Sequence, residues 1–493
     1  MTFNSFSFLI FFGIVAVLYY ILPQRFRWAM LLIASCYFYM VFIPAYILIL
    51  FYLIAIDFTA GIYIEKSAGK KRKAWLIASI IANVGTLFFF KYFNFFNANV
   101  ARIAALLHWN YSPLALAIIL PLGLSFHTFQ SLAYVIEVYR KKYPAEQHLG
   151  IYALYVMFFP QLVAGPIERP QELLPQLHAH HDFTESNAIA GLQMMLWGFF
   201  KKIVVADTVG IVVDSVYSNL HASPGPVLAI AAIAFAVQLY ADFSGYSDIA
   251  RGSAKVLGIN LVNNFNTPYF SRSIAEFWRR WHISLSNWFR DYFYQPLALP
   301  LARQFSKFGL YLALFITFVV IGLWHGAGWT YIFFGAVFGF YIIFGMITKR
   351  LRDRIARKTR IIKFPKIYEV WQMLITFALV CIGFVFFRAQ SIADAFYFIG
   401  HLVSGWRPLA SFGFLASVIL HPMLPGLSEL HTFLAIAASL LVIIGEYLNN
   451  RYHLVAWLAA HPRIIRWGAY YILILWIIAF VHYQERTFIY FQF

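Results

Sequence analysis

The sequence contains little charge for its length. Asp, Glu, Lys and Arg make up 12% of its 493 residues, whereas soluble proteins carry about 25%, so there are too few polar side chains to cover a water-soluble globule of this size. Hydrophobic residues make up 62% of the chain, and runs such as 227–239 and 308–323 contain no charged residue. Lipid is the solvent that fits this composition, which predicts an all-α polytopic integral membrane protein.

Cysteine and acidic residues are also scarce. Cys36 and Cys381 lie alone in apolar stretches, which excludes a disulfide framework and a paired-cysteine metal site. Lys and Arg outnumber Asp and Glu by 38 to 20, and a basic chain can bind nucleic acid. The densest basic clusters, Lys66–Lys73 and Lys349–Arg360, however, fall in short loops between apolar runs. This is the positive-inside pattern, so membrane lipids are expected as partners and nucleic acid is not.

Apolar stretches of about 17 to 25 residues indicate transmembrane helices. Counting them gives about eleven spans, some of them short or broken, in a single membrane-embedded domain over residues 1–493. The stretch 151–167 is apolar but contains Pro160, Gly165 and Pro166, which predicts a re-entrant segment. The candidate spans are 6–22, 27–41, 44–60, 74–92, 114–138, 187–206, 227–243, 308–323, 329–348, 366–387, 431–447 and 466–483.

The basic loops predict the orientation of these spans. Arg25 and Arg27, together with the clusters 66–73, 140–142 and 349–360, are expected on the cytoplasmic side. The N-terminus is then extracytoplasmic. Because the chain enters its first apolar stretch with no basic region and no small-residue cleavage site, we predict a retained first helix and not a signal peptide.

One polar segment does not fit a lipid-facing span. Six formal charges fall between Arg272 and Asp291, and each costs about 3 kcal/mol in the middle of a bilayer. At 100° per residue the charges share one arc and a broad set of aromatic residues lies opposite, which predicts an amphipathic helix at 272–291. His282 lies at the edge of the aromatic side, so it is expected to face protein or a chamber. The alternative is an interfacial helix with an incidental histidine.

A second histidine lies in a strongly apolar part of the chain. Tyrosines apart, His325 is the only ionisable side chain in the stretch 309–347, and an ionisable group at this depth is a functional candidate. Burial disfavours the charged imidazolium, and a general base needs the neutral ring. The flanking glycines, Gly322, Gly326 and Gly328, permit close approach of a substrate or another backbone and favour a helix break. The alternative is a histidine bonded to a neighbouring helix carbonyl.

Two aspartates, Asp242 and Asp248, lie at the end of an apolar run. Because buried charges need partners, we expect them to pair with the arginines of the helix at 272–291. A metal site that combines these aspartates with His282 and His325 is conceivable, but no recognisable ligand spacing supports it, and no metal is expected. The three histidines at 178–181 are interpreted as part of a solvated loop for the same reason.

Six strings of residues carry a more specific signal. They are Pro121–Gln130, Phe158–Arg169, Asp242–Asp248, Glu276–Ser286, Trp288–Tyr292 and Gly322–Ala327. The strings at 386–388 and 488–493 add weaker support. Together, and in this order, they resemble the membrane-bound O-acyltransferases, specifically the bacterial branch typified by the membrane subunit of alginate O-acetylation. The D-alanyl transferases of teichoic acid modification are more distantly similar.

The resemblance implies a ring of helices around a narrow channel across the bacterial inner membrane, with the motif-bearing core at about 121–348. It implies that His325 is the essential catalytic histidine and that His282 is a second one. The chain departs from the family at two positions. His127 stands where the family often has tyrosine, and Phe338 stands where it often has a further histidine. Because Phe338 cannot transfer a proton, catalysis is expected to depend on His325 and His282.

The resemblance also implies the reaction. We expect an acetyl group to move from a cytoplasmic thioester, acetyl-coenzyme A, to an exported polysaccharide, with a separate periplasmic acetyltransferase-like protein as partner and no permanently bound cofactor. Arg279, Arg280, Trp281 and Trp324 are the candidate coenzyme contacts, because arginines attract phosphate groups. The Trp324 N–H or His282 could stabilise the developing oxyanion.

Two other functions remain alternatives. One is D-alanyl transfer to teichoic acid from a carrier protein. The other is a non-catalytic transporter or flippase, which predicts ionisable residues spread through several helices and often an internal repeat. The chain shows no repeat, and its polar signals concentrate around two histidines. A structural scaffold would leave the glycine-flanked His325 unexplained.

Overall fold

The computed structural model describes residues 1–112, 116, 119–406, 424–481 and 486–489, and all regular structure in these residues is helical. The predicted all-α class is therefore confirmed. Turns of π-helix occur at Phe88–Tyr92, Phe200–Ala206 and Arg290–Tyr294. The helices are α1 Phe6–Ile21, α2 Gln24–Met40, α3 Ile47–Lys66, α4 Gly69–Leu87, α5 Phe93–Leu106, α6 Leu124–Tyr139, α7 Leu149–Met157, α8 Pro170–His178, α9 Glu185–Phe199, α10 Asp207–Ser218, α11 Gly225–Val256, α12 Ile274–Arg280, α13 Ile283–Phe289, α14 Gln295–His325, α15 Trp329–Ile347, α16 Lys349–Lys358, α17 Pro365–Arg388, α18 Ile392–His401, α19 Glu429–Tyr452, α20 Leu454–Ala459 and α21 Arg463–Phe480.

Within the described residues, eight helical stretches are long and apolar enough to cross a membrane. Each overlaps a predicted span, which confirms a polytopic membrane protein. Helix α1 is apolar but has only 16 residues, and α6 begins at Leu124, ten residues after the predicted start of its span at 114. Parts of the predicted spans 114–138 and 466–483 lie outside the described residues. The total of about eleven spans stays a prediction.

The chain forms two compact units. Unit 1 comprises residues 1–195 and 247–263, and unit 2 comprises residues 196–246 and 264–493. The predicted single domain stays a prediction. Unit 2 holds both candidate catalytic histidines, so the candidate site is described within that unit.

The predicted re-entrant segment lies in unit 1 and is only partly helical. Helix α7 ends at Met157, and the backbone that follows is buried and non-helical. Protein groups satisfy it: the Phe159 N–H donates to Ser35 Oγ at 3.0 Å, and the Gln161 amide donates to the Tyr155 carbonyl at 2.7 Å. Irregular backbone at membrane depth needs such partners, because lipid offers none.

In unit 2, α14 and α15 form a tightly packed hairpin. Glycines bring their backbones together. A Cβ atom on Gly322 would lie 2.2 Å from the Tyr331 carbonyl oxygen, and one on Gly335 would lie 2.2 Å from the Phe318 carbonyl oxygen. Neither oxygen belongs to a flexible side chain, so any side chain at these glycines forces the helices apart.

We therefore expect Gly335→Ala to destabilise the protein by about 1–3 kcal/mol, the usual range for an overpacked core. The matched control is Gly400→Ala in α18, where no atom lies within 4 Å of the added Cβ; there the better helix propensity of alanine should leave stability unchanged or slightly raised. Thermal unfolding of the purified variants in detergent measures both effects. Equal melting temperatures for the two variants would contradict the close packing of this hairpin.

Candidate active site

His325 is the last residue of α14. Gly326 continues as extended backbone, with φ −162° and ψ 151°, and ends the helix, so the predicted helix break is confirmed. The His325 side chain is 4% exposed. Its ring is surrounded by aromatic rings, with centroids 4.9 Å from Trp324, 5.6 Å from Phe334 and 5.3 Å from Phe387. The imidazole therefore lies inside protein, in apolar surroundings.

The glycines around His325 serve close packing of protein against protein. A Cβ on Gly326 would lie 2.2 Å from the Tyr331 ring, and Gly322 meets the backbone of α15. Gly328 is less restricted, because its Cβ would lie 3.4 Å from the same tyrosine ring. The sequence predicted that these glycines allow close approach either of a substrate or of another backbone. At Gly322 the structure shows the approach of another backbone.

His282 interrupts the segment that was predicted as one amphipathic helix. Helix α12 ends at Arg280, α13 begins at Ile283, and His282 between them has φ 43° and ψ 57°. The prediction of a continuous helix at 272–291 is therefore wrong. This left-handed conformation is unusual for any residue but glycine and asparagine. It turns His282 completely into the protein, where its ring meets Phe243 edge-on at 4.6 Å.

A distant residue explains this break. The backbone carbonyl of Asn264 accepts the Ile283 N–H at 3.0 Å, and its side-chain oxygen accepts the Ser284 N–H at 3.2 Å and the Ser284 hydroxyl at 2.7 Å. The first N–H groups of a helix have no partner within the helix, so Asn264 caps α13. Helix α12 is capped at its own N-terminus, where Ser273 accepts the Glu276 N–H at 3.2 Å.

Trp324 brings the two candidate catalytic histidines together. Its ring centroid lies 6.1 Å from that of His282 and 4.9 Å from that of His325. All three side chains are at most 5% exposed. These three residues, predicted from two separate strings, therefore form one buried cluster in unit 2, which is the candidate active site.

The remaining predicted coenzyme contacts occupy different surroundings. Arg279 is exposed, and Arg280 forms an ion pair with Glu276 at 2.6 Å. Trp281 is 2% exposed and stacks on Phe277 at 5.4 Å inside an aromatic core. Their contact with a coenzyme stays a prediction.

The expected pairing of Asp242 with the arginines of 272–291 is wrong. Its partners are Lys202, at 2.6 Å, and the backbone N–H of Ile489, at 2.7 Å. Lys202 also pairs with Asp207 at 2.8 Å, and all three charged side chains are at least nine-tenths buried. Asp248 pairs with Arg251 at 3.6 Å within unit 1.

Sequence reasoning overlooked the two lysines of this region. Lys201 and Lys202 lie in the π-helical turn that follows α9, and Lys201 binds Glu446 at 2.8 Å. Both fall within the predicted span 187–206. The rule that singled out His325, that an ionisable residue inside an apolar span is a functional candidate, would have identified them too.

The described part of the C-terminal string lies beside the candidate site. Phe488 stacks on Tyr246 at 4.5 Å and meets Phe243, the ring that also contacts His282. Arg486 and Arg388 both pair with Asp214, at 2.6 and 2.7 Å. Residues 490–493 of the string lie outside the described residues.

The two departures from the family pattern lie in different units. Phe338 is fully buried in unit 2, with its ring 5.3 Å from Trp278 and 5.0 Å from Phe334. It therefore belongs to the same aromatic core as Phe334, which also contacts His325. His127 is 2% exposed in α6 of unit 1, edge-on to Tyr39 at 6.4 Å.

Most of the chain is similar to known proteins. Residues 147–386 match the model of the MBOAT, membrane-bound O-acyltransferase, family. The chain is 37% identical, over 399 residues, to the probable alginate O-acetylase AlgI of Pseudomonas aeruginosa, an alignment that covers 80% of the chain and 73% of that protein. It is 33% identical to the peptidoglycan O-acetyltransferase of Helicobacter pylori, over 74% of the chain and 71% of that protein.

A more distant similarity extends to a second acyl group. The teichoic acid D-alanyltransferase of Streptococcus thermophilus is 29% identical over 282 residues, which are 54% of the chain and 68% of that protein. The matched family region contains His282, Trp324 and His325.

Proposed function

Because the chain belongs to the membrane-bound O-acyltransferase family and is an acyltransferase embedded in a membrane, we propose that it moves an acetyl group from acetyl-coenzyme A to an exported polysaccharide. The observation that carries this proposal is the buried cluster of His325, Trp324 and His282. An acetyl group is favoured over D-alanine because the relatives described above at 37% and 33% identity are an O-acetylase and an O-acetyltransferase. The D-alanyltransferase is 29% identical over a smaller part of the chain.

His325 is the general base of the proposed reaction. Its neutral ring takes the proton from an acceptor hydroxyl while the hydroxyl oxygen attacks the thioester carbonyl carbon. The tetrahedral intermediate collapses, the carbon–sulfur bond breaks, and the imidazolium returns the proton to the departing thiolate. The products are an acetyl ester and free coenzyme A. The cycle starts from the neutral ring, because only that form can accept a proton.

Trp324 and His282 support the negative charge that develops on the carbonyl oxygen. The indole N–H of Trp324 and a protonated ring nitrogen of His282 are hydrogen-bond donors, and donors held rigidly in a water-excluded site stabilise an oxyanion more than water does. Packing restrains both rings: Trp324 lies next to both imidazoles, and Phe243 packs edge-on against His282.

The hairpin geometry suits a reaction that serves the outer side of the membrane. Helix α15 has 19 residues and is therefore about 28 Å long, and it separates the His325 turn from the basic segment 349–360. With that segment in the cytoplasm, His325 lies toward the extracytoplasmic side of the inner membrane, and the N-terminus is extracytoplasmic. An exported acceptor approaches from there, with a periplasmic acetyltransferase-like protein as partner.

Reconstituted vesicles test the donor. The purified chain is inserted into liposomes and given acetyl-coenzyme A labelled in its acetyl group or, separately, a D-alanyl carrier protein. We expect release of free coenzyme A and label in protein or in added polysaccharide from the first donor alone. Turnover of the D-alanyl carrier without turnover of acetyl-coenzyme A would contradict the proposal.

The acceptor is tested in cells. Mass analysis of envelope glycans, with and without the gene for this chain, should show the loss of O-acetyl groups from one polysaccharide. Unchanged acetylation of every envelope glycan would contradict a polysaccharide acceptor.

A further inference from the structure

A cavity in unit 1 has a composition that the acyl-transfer site does not explain. It has a volume of about 300 Å³ and lies beside the turn that connects α1 to α2. Its polar wall contains two arginines, two histidines and two glutamines, and no aspartate or glutamate. These residues are Arg25, Arg27, His148, His178, Gln24 and Gln176.

Arg27 is the buried charge of this wall. Its side chain is 8% exposed, its Nε donates to the Leu22 carbonyl at 3.0 Å, and its Nη1 donates to the His181 carbonyl at 2.6 Å. The guanidinium also lies 4.9 Å from the ring centroid of Tyr19. Carbonyls and rings orient a cation but do not neutralise it. Among the described residues no carboxylate forms an ion pair with Arg27 or Arg25, so the buried charge lacks the anion that such a charge needs.

The position of the arginines in their helix points the same way. Arg25 and Arg27 lie in the first turn of α2, which has no acidic residue. A helix N-terminus carries a partial positive charge that disfavours cations and favours anions. Two arginines at this end repel the helix dipole as well as each other, and an anion in the cavity would offset both repulsions.

Two histidines also line the cavity. His148 Nδ1 accepts the Ile151 N–H at 3.1 Å, so in the neutral ring the proton is on Nε2. His178 Nε2 lies 2.8 Å from the Glu146 carboxylate, which orients its ring. The rest of the wall is apolar and includes Leu31, Leu154 and Ile259. A cationic wall next to an apolar one matches an anion attached to an apolar body.

We propose that this cavity binds a phosphate group, supplied by the headgroup of an anionic phospholipid or by free phosphate. Phosphate oxygens match the planar donor geometry of guanidinium groups and form charge-assisted hydrogen bonds with them. The cavity lies at the end of the apolar helix α1, and the end of a membrane helix lies at the depth where phospholipid headgroups occur. Trp28, which also lines the cavity, is a residue type favoured at this depth.

The test uses the full chain purified in a neutral detergent. Thermal unfolding is followed during titration with phosphatidylglycerol, with diacylglycerol, which has the same acyl chains and no phosphate, or with inorganic phosphate. A rise in melting temperature with phosphatidylglycerol alone identifies a lipid headgroup, and an equal rise with inorganic phosphate identifies free phosphate. No rise with either anion, or the same rise with diacylglycerol as with phosphatidylglycerol, overturns the proposal.

Two variants distinguish binding of the anion in this cavity from its general attraction to a basic surface. Arg25→Gln removes a charge that lines the cavity, and Lys71→Gln removes one from the first turn of α4, another basic helix N-terminus outside the cavity wall. For the anion that raises the melting temperature, we expect Arg25→Gln to raise the apparent Kd about tenfold, because one charge-assisted contact is lost. Lys71→Gln should leave this Kd unchanged. Equal effects of the two variants would overturn the proposal. Arg27→Gln, if it folds, should weaken binding at least as much as Arg25→Gln.

Discussion

Replacing His325 with alanine should lower acetyl transfer at least a hundredfold and leave membrane insertion unchanged. A positioned general base contributes about 10²–10⁴ to a rate, and the rings of Trp324, Phe334 and Phe387 that pack against His325 cannot take over a proton transfer. His325→Gln should show a similar loss, because the amide keeps much of the volume and hydrogen-bonding capacity of the ring but cannot transfer the proton. Release of free coenzyme A from vesicles measures the rate.

Two controls separate catalysis from folding. His401→Ala removes an exposed histidine at the end of α18 and should retain wild-type rate. Thermal unfolding of His325→Gln should lie close to that of the wild type, since packing volume is nearly kept. Normal acetyl transfer by either His325 variant would remove this residue from the mechanism. A lost rate together with a collapsed melting temperature would show that the ring is needed for packing.

Composition and isolated residues were sufficient to predict the class of protein and to single out His325, which the structure places in a buried cluster. Low charge and long apolar runs require lipid as the solvent, and helices then follow because the backbone must satisfy itself. His325 was identifiable because no other ionisable side chain, tyrosines apart, lies near it in the chain. The glycines beside it predicted the end of α14, which is a local property of the backbone.

The surroundings of His282 were not predictable in the same way. A helical wheel assumes an unbroken helix, and the residues of 272–291 themselves carry no glycine or proline that would interrupt one. The break depends on Asn264, which lies about twenty residues earlier and caps α13 through its carbonyl and its side chain. Contacts of this kind depend on the tertiary arrangement, so periodicity alone gave the right aromatic face and the wrong helix.

The prediction of which cation pairs with Asp242 was wrong for a related reason. The expectation that a buried carboxylate needs a cation was correct, but arginines close in the sequence were chosen, whereas Lys202 forty residues earlier supplies the charge. Lys202 lies within the predicted span 187–206, and the high mean hydropathy of that stretch makes a single charged residue easy to overlook. An ionisable side chain inside a predicted span is itself a functional candidate.

The Lys202 cluster leads to the second large expected effect. Lys202→Met should destabilise the protein by about 3–5 kcal/mol, the cost of breaking a buried ion pair from one side. The methionine fills similar space, but Asp207 and Asp242 then remain buried and face each other with no cation between them. Asp242 also accepts the Ile489 N–H, so the segment that packs beside His282 should loosen. Thermal unfolding and the yield of folded protein in detergent measure the loss.

A charge-free version of the cluster distinguishes the loss of a cation from a loss of packing. The triple variant Lys202→Met, Asp207→Asn, Asp242→Asn removes all three charges and keeps an oxygen at residue 242 for the Ile489 N–H, so it should regain much of the stability that Lys202→Met loses. Lys307→Met, at an exposed lysine, is the control and should change stability by less than about 0.5 kcal/mol. If the triple variant is as unstable as Lys202→Met, the aliphatic stem of the lysine and not its charge supports this part of unit 2. If the triple variant is stable but inactive, the charges themselves are needed for acyl transfer, and Lys202 then has a role in the mechanism together with His325.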